Sequence, residues 1–155
     1  MYEIIIGSLT RQDKALGVLF ELLEEEYTLL MKRDTGNIAV NEFSIQELIK
    51  QLMHEKNIVI RALGGLRASQ YAETLPEEQA QPLLHLLAAI DKNEQATSRN
   101  ASRNAQLSLA LLDQSTRNLQ KFTEYAVPKT SFVYGRRGAM RPVAHTQAAL
   151  LSGRM

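Results

Sequence analysis

The stretch "SRNASRNAQLSLALLDQSTRNLQKFTEYA", residues 98–126, decides how this chain is read. It contains neither Gly nor Pro and is rich in leucine, so it predicts a helix. Laid out at 100° per residue and continued back to residue 86, one stripe collects Leu86, Ile90, Asn93, Thr97, Asn100, Asn104, Leu107, Leu111, Ser115, Asn118, Phe122 and Tyr125. The stripe is apolar at its start, polar from Asn93 to Asn104, and mixed afterwards. Two bland accounts compete with a functional one. Asparagine in a helical seam can set register at a cost in stability, or the middle of the helix can simply face water. On the functional account the face is shared. Its first part packs at home, and Leu107, Leu111, Leu119 and Phe122 offer a groove to a partner's amphipathic helix.

Working outward, this helix is expected over 83–125. At 1.5 Å per residue it spans about 64 Å, whereas a compact chain of this length has a radius of gyration near 15 Å by the usual scaling (about 2.2·N^0.38 Å). The expectation is an all-α, elongated antiparallel bundle of three long helices, at about 3–33, 45–71 and 83–125. In the first, Leu9, Leu16, Leu23 and Leu30 repeat every seven residues, with Asp13, Phe20 and Tyr27 at the offset of four. Glu24, Glu25 and Glu26 diverge by about 100° each, so they read as a solvated face and not as an acid–base cluster. "RDTGNIAVNEFS" reads as a connection, ended by Gly36 and Asn37 and followed by a capping box at Ser44 and Glu47. The second seam reads Ile45, Ile49, Leu52, Lys56, Val59, Leu63, Leu66, interrupted by Gly64 and Gly65, which mark a helix end, a kink or a close approach. Pro76 suits a first turn, and Pro82 starts or kinks the third helix.

Composition narrows the function classes. The 155 residues make one domain's worth of chain, and 45% hydrophobic content is enough for a core. No apolar run reaches the roughly 20 residues of a membrane span, and "MYEIIIGSL" makes a poor signal peptide. The absence of Cys excludes thiolate metal sites and fits a cytoplasmic protein. His54, His85 and His145 stand alone, with no ligand spacing, nucleophile elbow or Glu-x-x-His pairing around them. An enzyme, and a cofactor, are not expected.

Charge is unevenly placed. Residues 1–125 carry 13 Lys/Arg against 17 Asp/Glu, and residues 126–155 carry 5 (Lys129, Arg136, Arg137, Arg141, Arg154) against none. The chain therefore divides into a helical bundle at 1–126 and a basic partner-binding tail at 127–155. The tail segment "KTSFVYGRRGAMRP" reads as irregular, and "VAHTQAALL" as an amphipathic stretch suited to a short helix. Phe132, Val133 and Tyr134 would anchor a linear motif that orders on binding, with Arg136 and Arg137 supplying charge.

Several of these pieces together resemble the FlgN-type flagellar export chaperones. They are an acidic first helix with "LLEEEYTLLMKRD", a second with "ELIKQLMHEKNIVIRAL", a long helix with "SRNASRNAQLSLALLDQSTRNL" close to an N-x-x-N-x-x-L-L signature, and the Tyr-Gly-x-x-Gly element "YGRRG" at 134–138. The resemblance spans nearly the whole chain. It implies a cytoplasmic chaperone of type III protein export that binds the hook–filament junction proteins of the bacterial flagellum and delivers them to the export gate. It places partner binding in the C-terminal half: Asn100, Asn104, Leu107, Leu111, Leu119, Phe122, Phe132, Val133 and Tyr134, with Tyr134 matching the family's gate-contacting tyrosine. Two features depart from the pattern: the Gly-containing break at "TGNIAVNEFS", and "RPVAHTQAALLSGRM", which extends past Tyr-Gly-x-x-Gly without an assigned role. Two alternatives are a self-associating coiled-coil scaffold, a homo-oligomer, and a nucleic-acid-binding helical protein using "YGRRGAMR". Nucleic acid is disfavoured because the acidic body would repel a phosphate backbone.

Overall fold

The computed structural model describes residues 1–126, together with the backbone of 132–134 and 140–142. The fold is all-α. Three long helices, α1 (Tyr2–Lys32), α2 (Thr35–Leu63) and α4 (Glu77–Ala126), are joined by a two-residue turn and by a short helix, α3 (Ala68–Glu73). The chain divides into two units, Met1–Leu109 and Ala110–Met155. The division falls inside α4, whereas the charge pattern divides the chain after residue 126.

In the first unit the seven-residue repeat of α1 is the spine of the core. Leu9, Leu16, Leu23 and Leu30 are all buried. Their seam partners are Ile5, Gln12 and Leu19, four residues earlier, and not Asp13, Phe20 and Tyr27, four residues later. The steps 5–9–12–16–19–23 alternate four and three, which is the spacing that keeps a seam on one side of a helix. The set Asp13, Phe20, Tyr27 lies beside this seam. On α2 the buried residues are Asn41, Ile45, Glu55, Val59 and Leu63. Lys56 and Leu66 are exposed, and Glu55 occupies the inward place expected for Lys56. Leu83 and Ile90 of α4 join Leu9, Leu16, Val59 and Leu63 in one apolar cluster. Leu19, Leu23 and Ile45 form a second cluster between α1 and α2.

Three expected boundaries are corrected. The twelve-residue connection does not exist, because α1 and α2 are parted only by Arg33 and Asp34. Arg33 takes the left-handed conformation (φ 55°, ψ 36°), and the N–H groups of Arg33 and Asp34 donate to the carbonyls of Leu30 and Leu29. The Asp34 carboxylate then accepts from the Asn37 backbone N–H at 3.3 Å and from Asn37 Nδ2 at 2.7 Å, capping α2. Those two bonds hold the Asp34 carboxyl below its ordinary range, the side-chain bond most of all. Gly36 and Asn37 thus lie in a first turn. Ser44 is mid-helix, its hydroxyl donating back to the Val40 carbonyl. Burial of Asn41 and Ile45 on α1 outweighs the local capping signal, as tertiary packing commonly does.

The second helix stops at Leu63 and not at residue 71. Gly64 and Gly65 both have positive φ, 59° and 99°, which L residues rarely adopt. The third long helix begins six residues earlier than expected, at Glu77. Pro76 precedes it, with its carbonyl accepting from Gln79 and Ala80, and Pro82 lies within it. Glu77 and Glu78 place negative charge where the helix dipole favours it.

In the second unit, residues 132–134 and 140–142 form an antiparallel pair of strands, β1 and β2, with Phe132 opposite Pro142 and Tyr134 opposite Met140. The segment read as irregular is therefore partly a hairpin. Phe-Val-Tyr is a strand-forming triplet, and the five intervening residues include Gly135 and Gly138, a hairpin-length connection. The short helix expected within "VAHTQAALL" lies outside the described residues.

Candidate functional site

The polar half of the α4 stripe is turned inward, and each of its asparagines has a partner on α1. Asn93 Nδ2 donates to Asp13 Oδ1 at 2.8 Å. Asn100 Nδ2 donates to Glu24 Oε1 at 2.7 Å, and Arg103 reaches the same carboxylate at 3.1 Å. Asn104 is 3% exposed and donates to the Leu23 carbonyl and to Glu26 Oε2, both at 2.7 Å. The Arg103 guanidinium also stacks over the Tyr27 ring, 4.0 Å from its centroid. With the Tyr2 hydroxyl donating to the Gln79 carbonyl, these contacts advance together along both chains, so α1 and α4 run parallel. Asp13, the polar exception on the first helix, is thus the partner of an asparagine on the last.

This seam corrects the view of Glu24–Glu26 as a solvated face. Only Glu25 is fully exposed; Glu24 and Glu26 hold α4. Burial raises the Glu26 carboxyl above its ordinary range, the Asn104 bond lowers it, and a hydrogen bond with Glu42 of α2 raises it again. A second polar contact joins α1 to α2. Ser8 Oγ donates to Glu55 Oε2 at 2.6 Å, and Arg11 holds both Glu55 oxygens at 2.7 and 2.9 Å. The Arg11 and Ser8 bonds outweigh burial and hold the Glu55 carboxyl below its ordinary range. Sequence spacing could flag Asp13 and Asn93 as polar exceptions on their stripes. It carried no signal for Glu24, Glu26, Arg103 or Glu55, since each looks like an ordinary surface charge until its partner is in place.

Further along α4 the side chains change environment. Leu107 and Leu111 are half-buried, whereas Leu119 is 67%, Phe122 70% and Tyr125 91% exposed. Leu109 and Leu112 are exposed as well. Within the second unit, residues 110–126 thus present an apolar helix face that the described residues of that unit leave open to solvent. Large apolar side chains concentrated on one segment mark an interaction surface. Of the nine residues expected to bind a partner, Asn100 and Asn104 are engaged with α1. Leu111, Leu119 and Phe122 lie on the open segment, and Phe132, Val133 and Tyr134 form β1.

Comparison with known proteins decides the family. The family model described as "FlgN protein" matches residues 1–142. The chain belongs to the FlgN family. No curated protein and no solved structure matches it. FlgN proteins are flagellar export chaperones, a family of binding proteins and not of enzymes. The match reaches from α1 through both strands of the hairpin, so it takes in the asparagine seam and the open segment of α4 alike. Among the described residues of this FlgN-family chain, no helix is long and apolar enough to cross a membrane.

Proposed function

We propose that this FlgN-family protein is a cytoplasmic chaperone that binds the hook–filament junction proteins of the bacterial flagellum and delivers them to the type III export gate. One observation carries the reading: the open apolar face of α4, where Leu119 and Phe122 stand 67% and 70% exposed. A helical protein that leaves such a face open needs an occupant for it, and an amphipathic helix laid along the groove is the matching chemistry. Leu107 and Leu111 flank the face, and Phe132, Val133 and Tyr134 add aromatic and β-branched anchors in the hairpin. Tyr134 is the residue proposed to meet the gate. Asn100 and Asn104 act indirectly, by holding the inner half of α4 on α1.

The test is binding of purified junction protein by titration calorimetry, with wild type beside Leu119→Asp and Phe122→Asp. Both variants should lose tenfold or more in affinity while keeping the wild-type helical circular dichroism, since neither side chain is buried. Retained affinity in both would overturn the reading. If the variants instead convert a larger species to a smaller one in light scattering, the face joins copies of this chain and the scaffold alternative takes its place.

A further inference from the structure

A second recess lies in the first unit, apart from the open segment of α4. It is a cavity of about 490 Å³ between α2 and α4, floored by Leu9 and Gln12 of α1 and walled by Val59 and Leu63 on one side and Leu87 and Ile90 on the other. Its ends are closed, one by the Lys56–Glu94 ion pair at 3.7 Å and the other by the turn after Gly64. Such a recess admits one bulky side chain and not a length of backbone. Gln12 is only 5% exposed, and its amide Nε2 is buried without a hydrogen-bond partner among the described residues. A buried amide left unpaired is costly, on the order of 1–3 kcal/mol, and a native protein rarely keeps one without a use.

We propose that this recess receives a tyrosine side chain from a partner polypeptide, its ring between α2 and α4 and its hydroxyl against Gln12. Three features select that occupant. The walls are aliphatic and take an aromatic ring. A phenol hydroxyl both accepts and donates, so it pairs with Gln12 in either orientation of the amide, which phenylalanine cannot do. The rim is charge-balanced, with Lys56 and Arg67 set against Asp91 and Glu94, which disfavours an anionic or cationic ligand. A polypeptide and not a small phenol is indicated by Ile60 and Leu66, which stand 55% and 54% exposed beside the opening. A small ligand would leave them wet, whereas the residues flanking a tyrosine would cover them, the arrangement of an anchor surrounded by a water-excluding ring.

The experiment titrates the full chain with p-cresol and toluene, the side-chain analogues of tyrosine and phenylalanine, and follows the Gln12 side-chain amide and the Leu63 and Ile90 methyls by NMR. p-Cresol should shift all three sets of signals and bind roughly five-fold more tightly than toluene, the worth of one hydrogen bond. Gln12→Leu, close in volume, should abolish that preference while leaving the methyl shifts. A helical peptide with one central tyrosine should bind more tightly than p-cresol, and Ile60→Asp with Leu66→Asp should remove the gain without touching p-cresol binding. No shift at Gln12, or an unchanged preference in Gln12→Leu, overturns the tyrosine assignment. A peptide that binds no better than p-cresol overturns the polypeptide one.

Discussion

Glu26 and Glu55 are both acidic residues of the bundle, and their surroundings drive them in opposite directions. Glu26 titrates above its ordinary value because burial is its leading influence and a second carboxyl, Glu42, adds to it. The stability it contributes is therefore present below the ordinary carboxylate pKa and lost as pH rises through the raised value. Glu26→Gln keeps an acceptor for Asn104 and offers a donor to Glu42. It should be more stable than wild type in urea at pH 8, with the gap closing near pH 4. Glu55 titrates low because Arg11 and Ser8 hold its ionised form. Its contribution is present above the ordinary carboxylate pKa and lost as pH falls through the lowered value. Glu55→Gln should weaken the fold at pH 7 and differ least from wild type at the acid end of the same titration. Asn104 is the third residue on which the packing turns. Asn104→Ala removes two hydrogen bonds, one to a charged group, from a buried site and should cost about 2 kcal/mol in denaturant unfolding.

At the scale of elements, the helix boundaries show where local signals prevail and where they yield. Gly64 and Gly65 end α2 whatever surrounds them, because two successive positive φ angles suit glycine alone. Nothing lies within 4 Å of a Cβ placed at Gly64, so Gly64→Ala should cost only the backbone strain, about 1 kcal/mol of thermal or chemical stability. The capping box at Ser44 and Glu47 had the right residues and no effect. Asp34 had already started the helix ten residues earlier, and Asn41 and Ile45 gained burial by staying helical. The α1 seam was legible as a seven-residue leucine repeat. Which flanking set completed it was not, since Gln12 and Leu19 on one side and Asp13 and Phe20 on the other fit helical spacing equally well.

For the whole molecule, the division of labour proposed here predicts that removing residues 127–155 leaves the helical signal and thermal midpoint of the remainder nearly unchanged while abolishing junction-protein binding. Full affinity in the truncated chain would confine the binding site to α4. The all-α class, the three long helices and the order of segments that resembles the FlgN family were all determined by sequence: they follow from helical spacing, glycine and proline placement and motif order, each a property of neighbours in the chain. Tertiary structure alone decided what the asparagines do. Asn93, Asn100 and Asn104 stood out as polar residues on an inward stripe, but their partners Asp13, Glu24 and Glu26 lie 76 to 80 residues away. A buried amide is a defect or a clamp according to whether an acceptor faces it, and only the packing of α4 along α1 supplies one. The same holds for Gln12, whose unpaired amide became visible only once its neighbours closed around it.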